Sequence, residues 1–276
     1  MKAAFVLALL ALSGCAVAGD ESSDFESEIK NAHMVLRTNL TGMVMIDSSD
    51  AFCSGMVISD TAVLTAAHCV CTNNSVFSNS CLTTAMVTFR NDPVTGKSVP
   101  RVTGNVIANP DYNPSWSGAQ IEGDIAIIRI PPGSRPSWVR PFQVASSYSP
   151  PGTKLMISGY GHFGSGCTGP IEILMWDDAY VDHYEDDGGI VALKDNEFCS
   201  GDSGGALLLA DGTLSPKKLA GVISSTTPAF GTSKAVPTWA YYGWIAANVP
   251  DLGALILTDE QKDRLKDGIS NGAIDL

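Results

Sequence analysis

The sequence is poor in positive charge. Its 276 residues carry 17 Lys and Arg against 29 Asp and Glu, a formal net charge of −12 with an isoelectric point near 4.6. A surface of that sign repels a phosphate backbone, which excludes nucleic acid as a partner. Beyond residue 18 no apolar run reaches the roughly 20 residues that a membrane-spanning helix needs, so no later segment is expected to cross a bilayer. Long amphipathic helical periods are missing from the body of the chain, and internal repeats are missing throughout. The first absence argues against alternating βαβ units. No second Cys or His pair stands at zinc spacing from Cys69-Val70-Cys71, so that stretch does not read as a metal site and no cofactor is implied.

What the chain does contain is a series of short runs rich in valine and isoleucine. They are Met43–Ile46, Cys53–Ile58, Ala62–Thr65, Ala85–Arg90, Val102–Ala108, Ile125–Ile130, Lys154–Ser158, Ile171–Trp176, Ile190–Leu193, Ala206–Leu209, Leu219–Ser224 and Thr238–Tyr242. Gly, Pro, Asn and Asp clusters separate them, which predicts an all-β chain of barrels or sandwiches. "PPGSRPSWVRP", residues 131–141, reads as a linker between two halves. Only the tail reads as helical, with Thr258 as a cap, Leu257, Gln261 and Leu265 along one side, and Gly268 as a stop.

The first residues read as a targeting segment. "MKAAFVLALLALSGC" places Lys2 before an apolar run and ends like a bacterial lipoprotein signal, with Cys15 as the lipid anchor. The alternative is an ordinary signal peptide cut after "AVA", Ala16 to Ala18. Both imply export, to the periplasm or outer membrane as a lipoprotein or to the exterior after processing. The only membrane contact expected is through that lipid. Residues 19–28, "GDESSDFESE", read as an acidic tether or propeptide with little to bury. Of seven cysteines, removal of Cys15 leaves six, an even set suited to disulfides in an oxidising compartment.

Near the last quarter stands "FCSGDSGGALLL", residues 198–209, where glycines flank Ser203. Glycine is costly where an ordinary conformation would serve, so the pattern predicts a tight turn that exposes the serine and aims backbone N–H groups. The stretch also satisfies the G-x-S-x-G elbow of α/β-hydrolases, but that arrangement needs a histidine after the serine. All four histidines, His33, His68, His162 and His183, precede Ser203. "NDPVTGKSVP" imitates a phosphate loop through Gly96-Lys97-Ser98, yet it has Asn91 where the first glycine belongs and Pro100 where a helix should run. A serine nucleophile needs an imidazole to take its proton and a carboxylate to orient that imidazole. "VLTAAHCV", residues 63–70, offers His68 after a strand, and "GDIAIIRI", residues 123–130, offers Asp124 at the mouth of another.

In "TAAHC", "GDIAIIRI" and "CSGDSGG", in that order, the chain resembles the chymotrypsin/trypsin family of serine proteases. Weaker echoes in "NPDYN" (109–113), "ISGYG" (157–161) and "LAGVIS" (219–224) extend the likeness over residues 29–245. The resemblance implies two packed six-stranded antiparallel β-barrels, at 29–130 and 142–245, followed by a C-terminal extension, 246–276, with a helical tail. It implies a monomeric serine endopeptidase acting on polypeptides, in which His68 is general base, Asp124 its orienter and Ser203 the nucleophile. Gly201 and Ser203 would supply the oxyanion hole. Cys53 would bridge Cys69, Cys71 would bridge Cys81 around a local insertion, and Cys167 is left for Cys199. Glu197 would lie at the base of the specificity pocket, with Ser224, Thr226 and Thr238 on its walls. An acid at 197 favours basic side chains, whereas threonine walls favour small apolar ones. Asp202 would need a cation, supplied in this family by a new amino terminus. The usual Ile-Val-Gly-Gly start is absent, and the nearest match is "IKNA" at Ile29, preceded by Glu28. The other function class consistent with these residues is a binding or inhibitor protein on a protease scaffold.

Overall fold

Branched side chains fit a pleated surface with a buried face, and most of the valine- and isoleucine-rich runs form short strands. The computed structural model describes residues 33–34, 40–48, 51–72, 80–98, 101–112, 122–163, 167–185, 189–194, 198–210, 218–227 and 232–252. In chain order the strands are β1 (His33–Met34), β2 (Met43–Ser48), β3 (Ala51–Val57), β4 (Ala62–Thr65), β5 (Cys71–Thr72), β6 (Ser80–Cys81), β7 (Thr84–Phe89), β8 (Val102–Ala108), β9 (Ala126–Arg129), β10 (Gln143–Val144), β11 (Lys154–Gly159), β12 (Met175–Glu185), β13 (Ile190–Lys194), β14 (Ala206–Leu209), β15 (Lys218–Thr227) and β16 (Thr232–Pro237). A 3₁₀ turn spans Ala67–Cys69, and helix α1 spans Tyr242–Asn248.

The first barrel closes in the order β2-β3-β4-β9-β8-β7. The second closes as β12-β11-β14-β15-β16-β13, with β13 returning to β12, while β1 and β10 are added to its edges. Within the first barrel β4 pairs antiparallel with β9, Thr65 opposite Ala126. The chain leaving β4 and the chain entering β9 therefore emerge at the same rim. That register is what brings His68 and Asp124 together although 56 residues separate them.

Two apolar clusters fill the molecule. One joins Leu64 and Ile127 of the first barrel to Met156, Leu208 and Val222 of the second and to Ile245 of α1. The other occupies the interior of the second barrel around Leu155, Ile157, Leu193, Leu207 and Ile223. Each such side chain contributes roughly 1.5–3 kcal/mol on burial, so the shared cluster helps hold the two barrels together.

Several elements differ from the sequence reading. The strand expected at Ile171–Trp176 begins at Met175 and runs on to Glu185, because Met175, Asp177, Ala179 and Val181 alternate inward between exposed Asp178, Tyr180 and Asp182. The stretch Thr238–Tyr242, expected as a strand, is a turn leading into α1. Its β-branched and aromatic content is spent on docking contacts rather than on a ladder. The helix expected from Thr258, like the segments around Cys15 and Ile29, lies outside the described residues. Among the described residues no helix is long and apolar enough to cross a membrane.

Candidate active site

His68 is fixed from both sides of its short turn. Before it, Thr65 Oγ1 donates to Ser54 O on β3 (2.8 Å), and after it Cys69 is bridged to Cys53 of the same strand. Ala66 and Ala67 are fully buried, so the turn lies flat on the core and the imidazole projects from it. Asp124 is only 2% exposed. One of its oxygens, Oδ1, accepts the His68 backbone N–H at 2.8 Å. The other, Oδ2, lies 2.7 Å from His68 Nδ1 and accepts from Ser224 Oγ at 2.5 Å. With Nδ1 occupied as the donor to a carboxylate, Nε2 is left with its lone pair as a proton acceptor.

The electrostatics of the pair are mutual. Burial presses the imidazole towards its neutral form, but the charge and hydrogen bond of Asp124 outweigh it and leave His68 above its ordinary value. Burial likewise works against the Asp124 charge, and the interactions with His68 and Ser224 still hold that carboxyl below its usual range. The resemblance expects Ser224 on the pocket wall; its hydroxyl bonds Asp124, and no local signal in "ISS" marks that role, since the partner is 100 residues away.

Ser203 sits where the two barrels meet. Its carbonyl accepts Ser54 N–H from β3 (2.8 Å), and the next two residues exchange bonds with Ile223 of β15: Gly204 N–H to Ile223 O at 2.8 Å and Ile223 N–H to Gly205 O at 2.9 Å. The flanking glycines are required by the backbone. Gly201 has φ +99° and Gly204 φ +78°, a region that side chains rarely tolerate, and a Cβ at Gly204 would overlap Thr65 Oγ1 and Ser54 O. Gly201 O is held by Ser54 Oγ at 2.8 Å, and that same oxygen accepts Tyr160 N–H at 2.9 Å. Among the described residues the backbone N–H groups of Gly201 and Ser203 meet no acceptor. The Ser203 hydroxyl donates to Ser224 O at 3.4 Å; among the described residues it makes no hydrogen bond to His68 Nε2.

Asp202, between those two donors, is 2% exposed and accepts Gly161 N–H (2.9 Å) and Cys199 N–H (3.0 Å), one on each oxygen. Burial dominates and pushes its carboxyl up to about 6, against the opposing effect of the two amides and of His162. No ion pair reaches it among the described residues. Disulfides join Cys71 to Cys81 and Cys167 to Cys199, with Cα separations of 3.8 and 5.5 Å. Sγ atoms of Cys53 and Cys69 gather with His68 within 4.8 Å, but both sulfurs are in a disulfide and offer no thiolate to a metal.

Of the expected pocket residues, Ser224 and Thr238 are described with their side chains. Glu197 lies outside the described residues, as does the side chain of Thr226, whose backbone on β15 stands opposite Ser233. Thr238 is held by backbone partners. Its N–H bonds Ala220 O, and its fully buried hydroxyl lies 2.9 Å from both Ala145 O and Leu219 O, at the far end of β15 from Ser224. The β15–β16 register places Ser233 and Ala235 across from Thr226 and Ile223.

A family model described as trypsin matches residues 30–245. The chain belongs to the trypsin family. It is 28% identical over 176 residues to anionic trypsin of Canis lupus familiaris, a match covering 63% of this chain and 66%, just under two thirds, of the dog protein. With serine protease 1 of Rattus norvegicus the identity is 27% over 216 residues, 73% of this chain and 82% of the rat protein. Among solved structures, HL collagenase superposes with a TM-score of 0.63 at 20% identity, covering 80% of this chain and 98% of that one. Neuropsin, a serine protease of mouse brain, gives 0.60 at 20% identity, with 79% and 99% covered. At that identity the structures establish the shared fold, and trypsin-family membership rests on the sequence match.

Proposed function

We propose that this trypsin-family chain is a serine endopeptidase that cleaves polypeptides through an acyl-enzyme. The observation that carries the reading is the buried Asp124 carboxylate, which accepts three hydrogen bonds and, by engaging Nδ1, leaves the lone pair of His68 Nε2 to act as a base. Rotation of Ser203 Oγ away from Ser224 O turns the hydroxyl to Nε2, a tightening that unliganded sites commonly await. Nε2 takes the proton as Oγ attacks the peptide carbonyl. The oxyanion then accepts the N–H groups of Gly201 and Ser203, each donor worth about 3 kcal/mol in a comparable site. His68 returns the proton to the leaving amine, and a water molecule repeats the sequence to release the acid. Past Val222 β15 no longer pairs with β14, and the carbonyl of Ser224 faces Ser203. Past Ile223 that edge of β15 has no strand partner among the described residues, which supports an extended polypeptide, added as a further strand, as the substrate.

The six bridged cysteines fit an exported protein, and a lipid on Cys15 would tether it. Cleavage between Glu28 and Ile29 would release the tether and supply an ammonium to Asp202, whose buried carboxylate accepts backbone amides alone among the described residues. A second reading, a non-catalytic binding protein, draws on the Ser203 hydroxyl being engaged with Ser224 rather than His68. A fluorophosphonate probe separates the two. Labelling of the processed wild type and not of Ser203→Ala supports the protease, and an unlabelled wild type supports the binder.

A further inference from the structure

Resting on that reading of Asp124 and His68, we propose that Tyr241 is a positioning residue for the acid, holding the backbone that enters Asp124 through a hydrogen bond from Gly123. Tyr241 Oη accepts Gly123 N–H at 2.9 Å, across 118 residues of sequence. Gly123 directly precedes Asp124, and its carbonyl accepts Ile125 N–H at 2.6 Å, so the amide on each side of the carboxylate is tied down. Tyr241 in turn belongs to a rigid element. Its carbonyl accepts Ile245 N–H at 2.9 Å, the first full turn leading into α1, and Ile245 is fully buried in the shared core.

The other end of the helix is fixed to the same segment. Arg129 at the end of β9 donates through Nη1 to Asn248 O at 2.7 Å, where a cation also complements the helix C-terminus. The two ends of α1 thus bracket the residues from 123 to 129, and Asp124 lies inside the bracket. Tyr241 bonds the Gly123 N–H, while the Asp124 oxygens are occupied by His68 and Ser224. It acts on the site through the Gly123 backbone. Ionisable side chains near the Gly123–Asp124 backbone include Glu122, its chain neighbour, Asp111, whose Cβ approaches Gly123, and Tyr112. Burial first, and then the Asp124 charge, push the Tyr112 phenol up, so it stays neutral wherever His68 titrates.

A slack entry to Asp124 would let the carboxylate drift from Nδ1, weaken its hold on the imidazolium and lower the pH at which His68 protonates. The test compares wild type, Tyr241→Phe and Tyr242→Phe, the last removing the neighbouring phenol, which has no part in the bracket. Two quantities are read. One is the acylation rate with p-nitrophenyl acetate against pH. The other, measured in a Ser203→Ala background, is the downfield proton resonance of His68 Nδ1–H, which reports a short bond to carboxylate without any turnover.

For Tyr241→Phe the acylation rate should fall about three- to ten-fold, the range of one neutral hydrogen bond. The acid-side midpoint should move down, and the resonance should move upfield or broaden. Tyr242→Phe should change none of these. An unmoved midpoint and resonance in folded Tyr241→Phe overturns the proposal, and a purely structural role would lower the melting temperature while leaving both in place. Should Tyr241→Phe not fold, 3-fluorotyrosine at position 241 keeps the ring and weakens the oxygen as an acceptor, giving the same shifts in smaller measure. A shifted resonance in a chain that p-nitrophenyl acetate never acylates supports the bracket and sinks the protease reading. An active wild type with an unshifted resonance in the variant does the reverse.

Discussion

Replacing Asp202 with asparagine in the uncleaved chain should stabilise it at neutral pH, against the usual expectation for a buried hydrogen-bonded acid. In the folded protein the Asp202 carboxyl stands at about 6, against 3.8 for the free side chain, because burial outweighs the two amides. A folded value above the unfolded one means that the protonated form favours folding. That stability is complete below about 3.8, declines as pH rises between the two values, and is gone above about 6. The shift is about two units, or about 3 kcal/mol at 1.36 kcal/mol per unit. For a chain of this size that corresponds to roughly 6–12 °C in melting temperature. The assay is thermal unfolding from pH 4 to 8 of uncleaved Ser203→Ala with and without Asp202→Asn, the first change preventing self-digestion. His68, raised, loses its contribution as pH rises, and Asp124, lowered, loses its own as pH falls; both are common to the two proteins and cancel in the difference. The variant should gain on its parent steadily from pH 4 and lead by about 3 kcal/mol at pH 8. Once the chain is cut before Ile29 the order should invert, since only the aspartate can pair with the new ammonium. A difference that stays flat across the range would refute the reasoning.

Ser203→Ala and His68→Ala should each lower peptidase turnover by several orders of magnitude with the fold intact. Turnover surviving in either pure variant would remove the mechanism. Because His68 is raised, wild-type activity should fall on acidification through a midpoint above 6.5, read from kcat/KM against pH. Replacing Cys53 and Cys69 together by serine should cost about 2–5 kcal/mol by denaturant unfolding and loosen the His68 turn; unchanged stability would show the bridge to be dispensable. Peptide-library profiling of Glu197→Gln should show a selective loss of cleavage after Lys and Arg, and an unaltered profile takes Glu197 out of the pocket.

Strand content was legible wherever branched residues were dense, as in β4, β9 and β14. It was obscured in β12, where Asp177, Asp178, Asp182 and Glu185 interrupt the apolar pattern although the period of two persists. It was obscured again in β16, whose "TSKAVP" has almost no apolar run, and at Thr238–Tyr242, where strand-like residues serve a turn and a helix. Local composition reports what a segment prefers, and these segments are set by what they pack against.

The same division runs through the candidate site. Sequence alone determined that the serine stands in a glycine-bounded turn, that every histidine precedes it, and that an acid opens a strand between them, because these are facts of order and local conformation. It could not determine which hydroxyl Asp124 would meet, that the Thr238 hydroxyl would bond Ala145 and Leu219, or that Tyr241 would reach Gly123. Those pairings span from 19 to 118 residues, and only closure of two barrels against one shared core fixes the registers that create them. A hydrogen bond is decided within a few tenths of an ångström, and that precision belongs to the packed interior rather than to any short stretch of chain.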